Sequence, residues 1–136
     1  MVDIRDTSPE RLKNDGILVV DDDVQVLKFV TRMLAALGYG SVFQAASTEE
    51  AHHLWTDHQS RIGLVISDFV MPAETGDVMA LQMATQKSAL KILLISGNDP
   101  LTLNSAIPLN PGLNFLQKPF TLAEMRKSIE ALTQCG

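Results

Sequence analysis

Cysteine is almost absent from this chain: Cys135 is the only one. A lone thiol closes no internal disulfide, so disulfide scaffolds and zinc fingers are excluded, and the count suits a reducing compartment. Clusters of Lys and Arg are missing as well, and 11 basic against 16 acidic residues leave a formal net charge of −5. Without a basic footprint for a phosphate backbone, direct nucleic-acid binding is not expected. No apolar run approaches the ~20 residues of a membrane span. The first residues mix both charge signs, unlike a signal peptide. Internal repeats and low-complexity segments are not found either. These absences leave a soluble, cytoplasmic domain as the expectation.

The composition supports that class. A chain of 136 residues, 46% hydrophobic and 20% charged, matches one ordinary globular domain. Folding at this size removes roughly 68% of the unfolded chain's surface from water, enough for a core without a staple. Residues 1–15 carry both charge signs and lack apolar periodicity, so they are read as a polar tail or linker, and 16–136 as the domain.

From Ile17 onward, short apolar runs alternate with helical patterns. ILVV (17–20), SVFQA (41–45), GLVIS (63–67), KILLIS (91–96) and LNFLQ (113–117) are five candidate strands. After the first, Leu27, Val30, Leu34 and Leu37 form one helical stripe that Gly38 can terminate. Leu122, Met125, Ile129 and Leu132 repeat that spacing at the end of the chain. Thr48, Thr75 and Thr121 are candidate N-caps, the last with Glu124 in a capping box, which gives helices near 48–58, 75–87 and 121–134. Asp99 and Pro100 can open a further short helix that stops near Pro108. Five strands each followed by a helix, with runs too apolar for half-exposed strands, argue a parallel sheet covered on both faces.

In such a sheet, functional groups gather beyond the carboxyl ends of the strands. Strand one ends in Asp21, Asp22 and Asp23, strand three in Asp68, strand four in Ser96, and strand five in Lys118 followed by Pro119. These tips lie 47, 28 and 22 residues apart along the chain from Asp21 to Lys118, so only folding can unite them. Carboxylates sharing a pocket repel one another unless a cation binds among them. Mg²⁺ suits all-oxygen donors and takes one or two carboxylates plus phosphate oxygens and water. A lysine ammonium and a hydroxyl at the same rim suit phosphoryl oxygens, and an aspartate can be the nucleophile. Each residue also has a plainer reading. Asp23 is read as a helix cap, and Asp68, Ser96 and Lys118 could singly be a loop cap, turn chemistry and a solvated lysine. Their shared position at one end of successive strands favours function. His52 and His53 are placed on a solvated helix face, without a metal role.

The segments VVDDD, ISDFVMPAETG, ILLISG and FLQKPF together resemble the receiver domain of two-component response regulators, over about residues 16–135. The resemblance implies a flavodoxin-like, doubly wound five-stranded parallel sheet of order 2-1-3-4-5 with helices on both faces. It implies that Asp68 is the phosphoacceptor and that Asp21 and Asp22, with Asp68 and the backbone carbonyl of Val70, hold Mg²⁺. It makes Ser96 the switch hydroxyl, Lys118 the phosphoryl-pairing cation with a cis bond to Pro119, and Phe115 the switch aromatic. Gly76, eight residues after Asp68, matches the family's loop. The implied partners are a histidine kinase or phosphotransfer protein, and a downstream protein at the face of the helix after strand four, strand five and the last helix.

Two departures accompany the resemblance. Phe115 stands where a tyrosine is common, and offers no hydroxyl. Residues 100–117 carry no charge, while Leu101, Leu103, Ile107 and Leu109 are apolar, which points to a hydrophobic partner contact rather than a salt-bridged dimer. No output domain is expected after the last helix, which suits a freestanding regulator or the receiver module of a hybrid sensor histidine kinase. An enzymatic alternative is a haloacid-dehalogenase-type phosphatase with Asp21 as nucleophile and Asp23 as acid/base, but it leaves Asp68 unexplained and lacks a late acidic pair. A phosphorylation-independent interaction module on the same fold would need a damaged site.

Overall fold

A computed structural model describes residues 15–134. The expected tail therefore lies outside the described residues except for Asp15, as does Cys135. Five parallel strands run in the order β2-β1-β3-β4-β5: β1 (Gly16–Val20), β2 (Val42–Ala45), β3 (Ile62–Asp68), β4 (Lys91–Ser96) and β5 (Phe115–Gln117). The α-helices are α1 (Val24–Ala36), α2 (Thr48–His58), α3 (Gly76–Gln86) and α4 (Leu122–Gln134).

Strand alternation sends successive side chains to opposite faces, and every residue of β1 is buried because both faces are covered. Ile17 and Val19, with Leu64, Ile66, Leu93 and Ile95, meet the stripes of α1 and α4. Leu18, Val20 and Val65 meet Trp55 of α2 and Met79 and Met83 of α3. The order and the two-sided cover agree with the doubly wound architecture that the resemblance implied.

Local chemistry explains the helix ends. Gly38 (φ 95°) stops α1, its N–H donating to the Ala35 carbonyl at 3.0 Å while the Tyr39 N–H donates to that of Leu34 at 2.8 Å. This is a Schellman stop, with Tyr39 buried beside Leu34. Thr121 and Glu124 form the expected capping box at α4, each side chain accepting the other's N–H, at 3.1 and 2.9 Å. At α2 the cap is Ser47 rather than Thr48, because the Ser47 hydroxyl accepts the Glu50 N–H and Thr48 is already helical and buried. Thr75 occupies the cap position of α3 without a side-chain cap bond. Leu122, expected within the apolar stripe of α4, is exposed in that helix's first turn.

The helix expected near 99–108 does not form. Asp99 caps only a 3-10 turn, Pro100–Thr102, accepting the Leu101 N–H at 2.9 Å. Beyond it, burial alternates residue by residue over 103–110, with Leu103, Ser105, Ile107 and Leu109 half-buried and the residues between them exposed. That is the two-residue period of an extended chain. Pro108 biases Ile107 away from helical torsions, and Asn104 and Ser105 are weak helix formers. Leu103, Ile107 and Leu109 cover Phe69, Leu94 and Phe115 on the sheet face shared with α2 and α3. Three of the four apolar residues expected to meet a partner thus pack inward, and only Leu101 is fully exposed, at 93%.

Because Leu64 is fully buried at the centre of the sheet, Leu64→Ala is expected to lower unfolding free energy by about 2–5 kcal/mol, read by urea titration.

Candidate functional site

The carboxyl ends of β1, β3 and β5 bring Asp21, Asp68 and Lys118 together. Oxygens of Asp21, Asp22 and Asp68 lie within 4.8 Å of one another. The Lys118 Nζ stands 3.5 Å from Asp21 Oδ2 and 3.6 Å from Asp68 Oδ2. Asp21 is buried, Asp68 half-buried and Asp22 exposed, so the cluster opens to solvent on the Asp22 side.

Backbone bonds set each side chain. The Asp21 N–H donates to the Ala45 carbonyl at 3.1 Å, and Asp21 Oδ1 accepts the Asp23 N–H at 2.8 Å. Asp23 is spent on α1, where its carboxylate accepts the N–H groups of Gln25 and Val26. Its reading as a helix cap holds. Asp68 Oδ1 accepts the Val70 N–H at 3.4 Å, and Val70 is exposed beside it. The Lys118 N–H donates to the Ser96 carbonyl at 2.8 Å, and the bond from Lys118 to Pro119 is cis, as the resemblance implied. The buried Ser96 hydroxyl accepts the Asn98 N–H at 3.0 Å. Phe115 is also in the interior, packed on Phe69 and Leu94 beneath the extended segment.

Burial raises the pKa of Asp21, against the lowering effect of the Asp23 N–H and the Lys118 ammonium. Asp68 is likewise raised by burial, with Lys118 and the Val70 N–H acting the other way. With the three aspartates ionised and Lys118 protonated, the four side chains carry two net negative charges, which fits a divalent cation held by oxygen donors. The donor set suits Mg²⁺ and contains no sulfur or imidazole.

The loop after β3 adds further contributors: Gly76 is the position that the resemblance implied, whereas the sequence does not single out Ser67, Glu74 and Asp77. A Cβ on Gly76 would lie 2.2 Å from the Asp68 carbonyl oxygen and 2.7 Å from the Ser67 hydroxyl, so only glycine lets α3 start this close to Asp68. The buried Ser67 hydroxyl donates to the same carbonyl at 2.9 Å. His52, whose side chain is 38% exposed, contacts Glu74 of the β3–α3 loop at 2.5 Å, and His53 is exposed, in keeping with a solvated face. Asp77 is buried at the start of α3. None of these pairings has a sequence signature, because each joins elements distant in the chain or depends on backbone proximity.

The response regulator receiver domain model matches residues 17–130. The chain belongs to this family. This receiver domain is 32% identical over 119 residues to the probable chemotaxis protein CheY of Rhizobium etli, a match covering 85% of the chain and 90% of that relative. It is 26% identical over 118 residues to the sensor kinase CckA of Brucella abortus, covering 87% of the chain but 12% of the kinase. The crystal structure of the receiver domain from the hybrid histidine kinase CckA is similar at a TM-score of 0.70 and 27% identity, covering 88% of this chain and 99% of that one. The receiver domain is thus a signalling module of two-component systems.

Two outcomes follow from this geometry. Gly76→Ala is expected to cost about 1–3 kcal/mol, since the new methyl meets backbone, and to displace Asp68, as read by melting and by Mg²⁺ titration. A pKa raised by folding means that protonation favours the folded state, so ionised Asp68 costs stability at neutral pH and the cost fades as pH falls into the ordinary carboxylate range. Without Mg²⁺, Asp68→Asn should therefore melt higher than wild type at pH 7, with the gap closing toward pH 4 in a thermal series.

Proposed function

We propose that this receiver domain accepts a phosphoryl group on Asp68 from a histidine kinase or phosphotransfer protein and thereby changes a partner-binding face. The observation that carries the reading is Lys118 Nζ bridging Asp21 and Asp68 beside the exposed Asp22. Asp21, Asp22 and Asp68, with the Val70 carbonyl, would hold Mg²⁺. When bound, the ion supplies neutralising charge for phosphoryl oxygens.

In the transfer, an Asp68 carboxylate oxygen attacks the phosphorus of a phosphohistidine or small phosphodonor. The new P–O bond forms as the donor's P–N or P–O bond breaks, and the leaving atom keeps the electron pair. Lys118, already 3.6 Å from Asp68 Oδ2, turns its ammonium to the transferred group. The Ser96 hydroxyl exchanges its contact with the Asn98 N–H for one as donor to a phosphoryl oxygen. Hydrolysis of the acyl phosphate returns the carboxylate, so the domain would catalyse only its own phosphorylation and dephosphorylation.

The downstream face differs from the one the resemblance implied, because an extended segment replaces the helix after β4. A protein partner would read this segment with β5 and α4, where Pro100, Pro111, Phe115, Leu116 and Lys127 line a groove of about 420 Å³. Phe115 would serve as the switch aromatic by supporting that segment from below. Residues 16–136 would be the receiver unit and 1–15 a linker, working in the cytoplasm without nucleic acid, either freestanding or within a hybrid kinase. No helix among the described residues is long and apolar enough to cross a membrane.

Intact-protein mass spectrometry after incubation with acetyl phosphate and Mg²⁺ is expected to show one phosphoryl adduct, lost without Mg²⁺ and in Asp68→Asn. Lys118→Ala should still take the label while the amide shifts around Ser96 and Phe115 respond more weakly. If acetyl phosphate fails, a phosphorylated histidine donor is the second arm; failure of both, or undiminished labelling of Asp68→Asn, refutes the assignment.

A further inference from the structure

Residues 97–114 join β4 to β5 with a single 3-10 turn, a length at which connections without regular structure are uncommon in compact domains. Some of the bonds that hold this segment are local. Asn114 accepts the Asn110 N–H and donates to the Pro108 carbonyl, both at 2.7 Å. Others reach the body of the fold. Leu103, Ile107 and Leu109 rest on Phe69, Leu94 and Phe115, and the Ala106 N–H donates to Asp77 Oδ2 at 2.6 Å.

Asp77 is 1% exposed, in the first turn of α3, and its Oδ1 is buried without a hydrogen-bond partner among the described residues. Burying a carboxylate is costly, and the positive end of the α3 dipole offsets part of that cost. The side chain reaches across to the extended segment, 29 residues away in sequence.

Both attachments of this strap, residues 103–110, adjoin the phosphoacceptor. Phe69 follows Asp68 directly, and its carbonyl accepts the Gly76 N–H at 2.9 Å. Gly76 abuts the Asp68 carbonyl and directly precedes Asp77. A displacement of the Asp68 loop is thus felt at the apolar seat of the strap through Phe69 and at its polar anchor through Gly76 and Asp77.

We propose that Asp77 is a positioning residue whose buried carboxylate latches the strap to the Asp68 loop, so that opening of the strap and phosphorylation of Asp68 are energetically linked. The linkage rests on the phosphoacceptor reading above; the latch itself does not. Because Phe69, Gly76 and Asp77 all adjoin Asp68, loosening the strap also alters the surroundings of an acyl phosphate there, and with them the rate at which the phosphoryl group is lost.

The test compares wild type with Asp77→Ala, Asp77→Asn and Ala106→Pro, the last deleting the donor while leaving Asp77 in place. Amide exchange at Ala106, followed by NMR in the unlabelled protein, should accelerate about tenfold in Asp77→Ala and be largely restored in Asp77→Asn, which keeps an acceptor oxygen. After labelling with acetyl phosphate and Mg²⁺, the rate of phosphoryl loss should change by about threefold or more in Asp77→Ala and Ala106→Pro, and stay near wild type in Asp77→Asn. Equal Ala106 exchange in wild type and both Asp77 variants overturns the latch. Melting temperatures that fall while phosphoryl loss is unmoved overturn the linkage and leave Asp77 a structural residue. A wild type that takes no label from acetyl phosphate or a phosphorylated histidine donor refutes the phosphoacceptor reading and the linkage with it, while Ala106 exchange still decides the latch.

Discussion

Asp21 and Asp68 are held close together and partly out of water, against their mutual repulsion and the cost of desolvation. Lys118 offsets only part of that cost, and both carboxyls remain shifted upward. The free energy that keeps them in place comes from elsewhere. The buried sheet beneath them, with α1 and α4 on one face and α2 and α3 on the other, fixes the strand ends from which they project. The acidic cluster is therefore a cost that the hydrophobic core sustains. A divalent cation and a phosphoryl group are ligands whose charges can act on it.

The loop after β3 is where that constraint meets the rest of the chain. The Asp68 carbonyl is bonded by Ser67 and overlain by Gly76, so the start of α3 has little freedom relative to the acceptor. Glu74 ties the same loop to His52 of α2, and Asp77 ties the start of α3 to the strap. Changes at Asp68 can reach three neighbouring elements through contacts one or two residues long. Packed elements of this kind respond by exchanging discrete arrangements rather than by deforming smoothly.

The connection between β4 and β5 runs through the extended strap. A helix between β4 and β5 would satisfy its own backbone groups, whereas an extended strap must find partners outside itself. Part of that need is met by Asn114, part by Asp77, and the apolar remainder by the seat on Phe69 and Phe115. Over 103–110 the lack of charge suits the residues that face the interior, Leu103, Ser105, Ile107 and Leu109. Of the four apolar side chains Leu101, Leu103, Ile107 and Leu109, Leu101 is the one that stands clear of the fold.

The sequence by itself determined the strands, the two-sided apolar cover, the helix stop at Gly38 and the helix start at Thr121, because these depend on short-range periodicity and local hydrogen bonding. It also carried the carboxylates and Lys118 at the strand tips. Asp99 and Pro100 signal a helix start, but Pro108 and the weak helix formers Asn104 and Ser105 oppose one, and the seat on the sheet holds Leu103, Ile107 and Leu109 in an extended chain. Ser47 took the α2 cap from Thr48 because the neighbouring core had already buried the threonine. Gly76 was marked by its spacing from Asp68, and the fold supplied the reason for it; tertiary structure alone decided the closeness of Lys118 to Asp21 and Asp68 and the pairings of Asp77 with Ala106 and of His52 with Glu74. Each joins positions that the sequence separates, and their distances are set by how helices settle on a twisted sheet, which no local pattern encodes.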